Sequence, residues 1–77
     1  MKYSLGIDTS NYKTSVALTD INGGIVYDKR ILLNVDKGKR GLRQQEALFQ
    51  HINNLPILFD DMFNNFDTKD ISCVSVS

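Results

Sequence analysis

Tyr3-Ser4-Leu5-Gly6-Ile7-Asp8-Thr9-Ser10-Asn11-Tyr12-Lys13-Thr14-Ser15-Val16-Ala17-Leu18-Thr19 is the stretch that decides the fold of this 77-residue chain. Tyr3, Leu5 and Ile7 alternate with Ser4, Gly6 and Asp8, the period of two of a strand with unlike faces. Thr9-Ser10-Asn11-Tyr12 reads as a polar turn, because Ser and Asn side chains compete for local backbone hydrogen bonds. Lys13 to Thr19 resumes the alternation, with Val16 and Leu18 on one face and Ser15 and Ala17 on the other. Asp20-Ile21-Asn22-Gly23-Gly24 is a second turn, since Asn-Gly and Gly-Gly tolerate positive φ. Ile25 to Leu33 makes a third strand, and the short connections predict an antiparallel meander.

Beyond Asn34 the pattern changes. Asn34 to Gly41 holds two glycines and four charges and reads as a loop. Leu48, Ile52, Leu55, Phe59, Met62 and Phe66 then recur at steps of three and four, which predicts an amphipathic helix with these side chains inward. Pro56 removes one backbone bond, but the stripe keeps its phase across it, so one kinked helix is expected. Asp67-Thr68-Lys69-Asp70 ends the pattern, and Ile71 to Val76 reads as a fourth strand. A strand that follows a helix pairs parallel to an earlier strand. The fold class is therefore α/β, ordered β-β-β-α-β, with three antiparallel strands and a fourth parallel to the first. Ligands in such sheets lie beyond the carboxyl ends of the strands, and nothing follows the fourth strand here. Residues 1–77 are thus expected to be the N-terminal part of a longer protein.

Composition bounds the function. Nine Lys and Arg balance nine Asp and Glu, which removes the electrostatic case for broad nucleic-acid or anionic-membrane binding. The longest apolar runs fall far short of the roughly 20 residues that span a bilayer. Asp8 arrives too early for a signal peptide, so a cytoplasmic protein without membrane contact is expected. Cys73 is alone and reads as a small buried hydrophobe, with no disulfide framework. His51 is the one histidine and borders the helical stripe, a packed or capping group rather than a metal ligand. Phe59, Phe63 and Phe66 read as core. Asp60 and Asp61 do not share a helix face and make a poor acid–base pair. Lys37, Lys39, Arg40 and Arg43 form a basic cluster that reads as a solvated loop, with phosphate or RNA contact as the other possibility.

The first turn is the most suggestive place for chemistry. A carboxylate ending a strand, such as Asp8, can hold a hydrated divalent cation, and turn amides and hydroxyls can face phosphate oxygens. No Walker loop is present, and on bare chemistry an ordinary polar hairpin is the simpler reading.

Three blocks in order carry a family resemblance. Leu5-Gly6-Ile7-Asp8-Thr9-Ser10 with Thr14-Ser15-Val16-Ala17, then His51-Ile52-Asn53-Asn54-Leu55-Pro56-Ile57-Leu58, then Lys69-Asp70-Ile71-Ser72-Cys73-Val74-Ser75-Val76 resemble the Gcp/TsaD family. These are the proteins long labelled O-sialoglycoprotein endopeptidases or glycoproteases, and the Lys37 to Gln45 stretch is similar to a clostridial-type branch. The resemblance implies an RNase H-like, actin-like ATPase fold with sheet order 3-2-1-4, of which residues 1–77 are part of the first subdomain. It implies that the intact protein binds ATP and a divalent metal and acts as a transferase making N6-threonylcarbamoyladenosine in tRNA, the older label being a metalloprotease, hence a hydrolase. Asp8, Thr9, Ser10, Lys13 and Thr14 match the family's first phosphate loop, with Asp8 reaching the metal through water. Implied partners are the remainder of the parent chain, tRNA and other tRNA-modification proteins. Asn11-Tyr12-Lys13 stands where the family has Cys-Asp-Glu, which favours the alternative of a non-catalytic actin-like nucleotide-binding or assembly module. The family's paired His metal ligands and Gly-Pro-Gly loop come after residue 77. The chain alone is therefore expected to be inactive, to hold ATP only weakly, and to self-associate through its uncovered edge or stripe.

Overall fold

Alternating side chains and two tight turns produce three consecutive strands: β1 (Tyr3–Thr9), β2 (Lys13–Thr19) and β3 (Ile25–Leu32). A computed structural model describes residues 2–10, 12–34 and 44–77 of the chain. β1 pairs antiparallel with β2, from Ser4 opposite Thr19 to Thr9 opposite Thr14. β2 pairs antiparallel with β3, with a register shift at Leu18 and Thr19. The helix α1 (Gln44–Phe63) then leads into β4 (Ile71–Val76), which lies parallel to β1. The result is an α/β domain with one mixed sheet in the order β3-β2-β1-β4.

Local chemistry explains each reversal. The Asp20 carboxylate accepts from the amides of Asn22 and Gly24, at 2.9 and 2.8 Å, closing the β2–β3 turn. Gly23 sits there at φ 84°, the left-handed region that a side chain disfavours. Before β4, the Asp67 side chain accepts from the Lys69 amide and caps a single 3-10 turn, Thr68–Asp70.

The apolar face of the sheet carries the core. Leu5, Val16, Leu18 and Tyr27 meet Leu58 and Met62 of α1, with Phe59, Phe66 and Ile71 packed around them. Phe66 lies edge-on to Tyr3 and to Tyr27, with ring centroids 5.3 and 6.1 Å away. Tyr27 donates to the Asp61 carboxylate at 2.7 Å, and the Lys29 ammonium reaches the same oxygen at 2.8 Å. Burial, then the hydrogen bond to Asp61 and its negative charge, push the Tyr27 phenol up to about 12. The hydrogen bond from Lys29, then that from Tyr27, hold Asp61 below the usual carboxylate range.

Helix α1 runs unbroken through Pro56, but its inward face differs from the predicted stripe. Leu48 and Ile52 are 58% and 59% exposed, whereas Ala47 and His51 are buried. The helix is rolled by about one residue, about 100°, in its first half. Small Ala47 permits close approach, and His51 and Asn54 both turn toward Thr14 on β2. Hydrogen bonding to a buried hydroxyl thus sets the rotation that apolar spacing left open. The two possible stripes converge at Met62, which is fully buried.

Two further expectations are corrected. Phe63 is largely outside the core and stacks on Phe59 at 6.0 Å. Cys73 is exposed, not buried. It is paired in register with Ser4, and so lies on the sheet face that α1 does not cover. The basic cluster at Lys37, Lys39, Arg40 and Arg43 lies outside the described residues. Among the described residues no helix is long and apolar enough to cross a membrane.

Candidate functional site

Strand parity divides the predicted site residues between two faces. Paired residues share a face, so Gly6 with Ala17 and Asp8 with Ser15 fall on the side away from α1. Ser75 pairs with Gly6 and extends this surface onto β4. Together with Ser77 they line a shallow depression of about 260 Å³. It lies at the carboxyl ends of the two parallel strands, β1 and β4, joined there by the Ser77 amide donating to the Ile7 carbonyl at 2.9 Å.

Asp8 is half-buried in this depression, opposite Ser15. Lys13 opens β2 on the same face, one alternation before Ser15. Arg30, paired with Ser15, follows on β3. A carboxylate, hydroxyls and two cations therefore share one end of one face. Such a set is suited to oxygen-rich ligands: the carboxylate for a hydrated hard cation, the cations for its anionic partner. A larger hollow of about 440 Å³ lies below the end of α1. Its one carboxylate, Asp67, is already engaged by the Lys69 amide, so the smaller depression is the better candidate.

The remaining predicted residues serve the turn. Ser10 Oγ accepts from the amides of Tyr12 and Lys13, and its own amide donates to the Lys13 carbonyl at 3.1 Å. The Thr9 amide and hydroxyl both donate to the Ser77 carbonyl. These four amides are satisfied within the chain, so in this arrangement they form no cradle for an anion. Thr14 is fully buried on the helix side, and Thr9 is its partner there. The structure thus brings Asp8 and Lys13 to one face and places Thr9 and Thr14 on the other.

Thr14 is held from α1. Its hydroxyl lies 2.6 Å from His51 Nδ1 and accepts from Asn54 Nδ2 at 3.2 Å. The other ring nitrogen, Nε2, lies 2.9 Å from the Ser10 carbonyl. A carbonyl only accepts, so Nε2 carries the proton and Nδ1 accepts from Thr14. The floor residues Gly6, Ser15, Ala17, Ser75 and Ser77 were not singled out from the sequence as site residues. Their signal was present: small residues in the same parity on three strands. Asn54 had no such signal, because its partner is 40 residues away.

No protein-family model matches the chain, and no curated protein matches it.

Proposed function

We propose that the chain is the opening unit of an RNase H-like domain of the actin-like ATPase type, from a glycoprotease-like, tRNA threonylcarbamoyl-transferase-family protein. Its contribution is the Asp8 end of a cleft for ATP and a divalent metal. The observation that carries this reading is the sheet order β3-β2-β1-β4, with β4 alone parallel, which sets Asp8 at the carboxyl ends of adjacent parallel strands. Asp8 holds the hydrated cation and Lys13 faces a phosphate. Thr9, Ser10 and Thr14 shape the turn. The parent protein works in the cytoplasm with tRNA and tRNA-modification proteins, and the 77-residue chain by itself does not turn over substrate.

A second reading is favoured by Tyr12 and Lys13, an exposed aromatic and a cation at positions where the resembled family is acidic. In it the parent is a non-catalytic nucleotide-binding or assembly module. Self-association accompanies either reading. Its route is the β4 edge, which carries no charge between Ile71 and Val76, whereas β3 presents Asp28, Lys29 and Arg30.

Manganese titration followed by amide line broadening tests the site. Broadening centred on Asp8, Ser15 and Ser75, strengthened by ATP and lost in Asp8→Asn, is the expected result. Broadening elsewhere, or unchanged in Asp8→Asn, sinks the metal role. Low-micromolar binding of Mg-ATP at unit stoichiometry would refute the incomplete site. A pair of His at metal-ligand spacing in the parent's downstream sequence separates the enzyme from the assembly module.

A further inference from the structure

We propose that His51 is a positioning residue for the turn closed between Ser10 and Lys13, acting through the Ser10 carbonyl. Every link is a directed hydrogen bond. Asn54 donates to Thr14, Thr14 donates to His51 Nδ1, and His51 Nε2 donates to the Ser10 carbonyl. His51 is buried, so neither nitrogen exchanges its partner cheaply for water. Such a series polarises in one direction and puts the Nε2 proton on the Ser10 side.

The consequence is mechanical. With its carbonyl drawn to α1, Ser10 turns its hydroxyl onto the amides of Tyr12 and Lys13. The backbone from which Lys13 rises, on the face that carries Asp8, is thereby anchored to α1. The same side chain bonds Thr14 through its other nitrogen, so helix rotation and turn geometry meet in one residue. The link from this clamp to metal-phosphate binding rests on the reading proposed above. The clamp itself does not.

Two isosteric variants separate the bonds. Asn places its amide where Nδ1 was and keeps the Thr14 contact; Gln reaches the Nε2 position and keeps the Ser10 contact. Hydrogen exchange at the Tyr12 and Lys13 amides is expected to accelerate about tenfold in His51→Asn, the scale of one lost hydrogen bond. In His51→Gln it stays within about threefold of the starting protein. A ring that merely fills space predicts the same rate in both variants, and that result would overturn the proposal. Long-range proton–nitrogen NMR of the unaltered chain is a further check that needs no variant: the Nε2–H pattern supports the clamp, and the Nδ1–H pattern refutes it. Manganese with ATP is the functional probe, with affinity at Asp8 expected to fall in His51→Asn and to survive in His51→Gln. If the unaltered chain shows no broadening at Asp8, the metal-phosphate reading fails, while the exchange contrast still decides the clamp.

Discussion

His51 Nδ1 and Thr14 Oγ1 lie 2.6 Å apart, both buried, and tie α1 to β2 across 37 residues of chain. Thr14 is one of the largest fully buried side chains, yet it is polar. Its hydroxyl satisfies two groups from the helix. Thr14→Val keeps the volume but strands His51 Nδ1 and Asn54 Nδ2. It is expected to cost about 1–3 kcal/mol in urea unfolding, the penalty for unpaired buried polar groups. Thr14→Ser, which keeps the hydroxyl, should cost less than Thr14→Val.

Met62 and Ile52 test the roll of α1. Met62→Ala removes a fully buried side chain and should destabilise by about 2–5 kcal/mol. Ile52→Ser alters a side chain that is 59% exposed and should cost less than about 1 kcal/mol. Equal costs in denaturant titrations would return Ile52 to the core.

The Tyr27, Asp61 and Lys29 cluster sets two limits on pH stability. Asp61 has its pKa lowered in the folded chain, so its contribution is present above the ordinary carboxylate value and is lost as pH falls through the folded value. Tyr27 has its pKa raised to about 12, so its contribution is present below the ordinary value of 10.0 and is lost as pH rises through the folded value. Thermal melts across pH should show both slopes. Asp61→Asn should flatten the acid limb, and ultraviolet titration should find Tyr27 ionising at about 12.

Gly6 lies inside β1, and a Cβ built there meets only the Ala17 carbonyl oxygen, at 4.0 Å. The fold itself therefore does not require glycine at this position. Gly6→Ala should leave stability unchanged or raise it by about 0.5–1 kcal/mol, through lower backbone entropy in the unfolded chain. The added methyl enters the Asp8 depression, so manganese–ATP broadening should weaken. A large loss of stability in melting experiments would contradict this account of Gly6.

Cys73 provides a check on the uncovered face. Its thiol is exposed, so a disulfide-forming dye should label it in the native chain about as fast as in denaturant. Slow labelling, accelerated by unfolding, would put Cys73 back in a core.

Local physics made the four strands, the antiparallel meander of β1, β2 and β3, and the helix legible without coordinates, whereas the full sheet order was implied by the family resemblance. Period-two alternation in Tyr3–Asp8 and Lys13–Thr19, and the Asn22-Gly23 turn, are determined by residues within a few positions of one another. Asp8 and Lys13 were named from the sequence as candidate site residues, Lys13 through the family resemblance, and strand alternation puts both on one face. Apolar spacing also established that α1 exists and passes through Pro56. It did not determine which way the helix faces, because Leu48 and Ile52 form as good a stripe as Ala47 and His51 up to Met62. That choice belongs to Thr14, a polar residue on a buried face, whose partners His51 and Asn54 approach only when helix and sheet pack. The exposure of Cys73 and Val74 was hidden likewise: strand alternation assigns residues to faces, but only the placement of α1 beside β2 and β3 decides which surfaces are covered. Sequence alone dictated the elements and the antiparallel pairing of β1, β2 and β3, through short-range hydrogen bonding and hydrophobic period. Tertiary structure alone decided the rotation of α1 and which sheet surfaces it covers, because both depend on hydrogen bonds and packing between residues far apart in the chain.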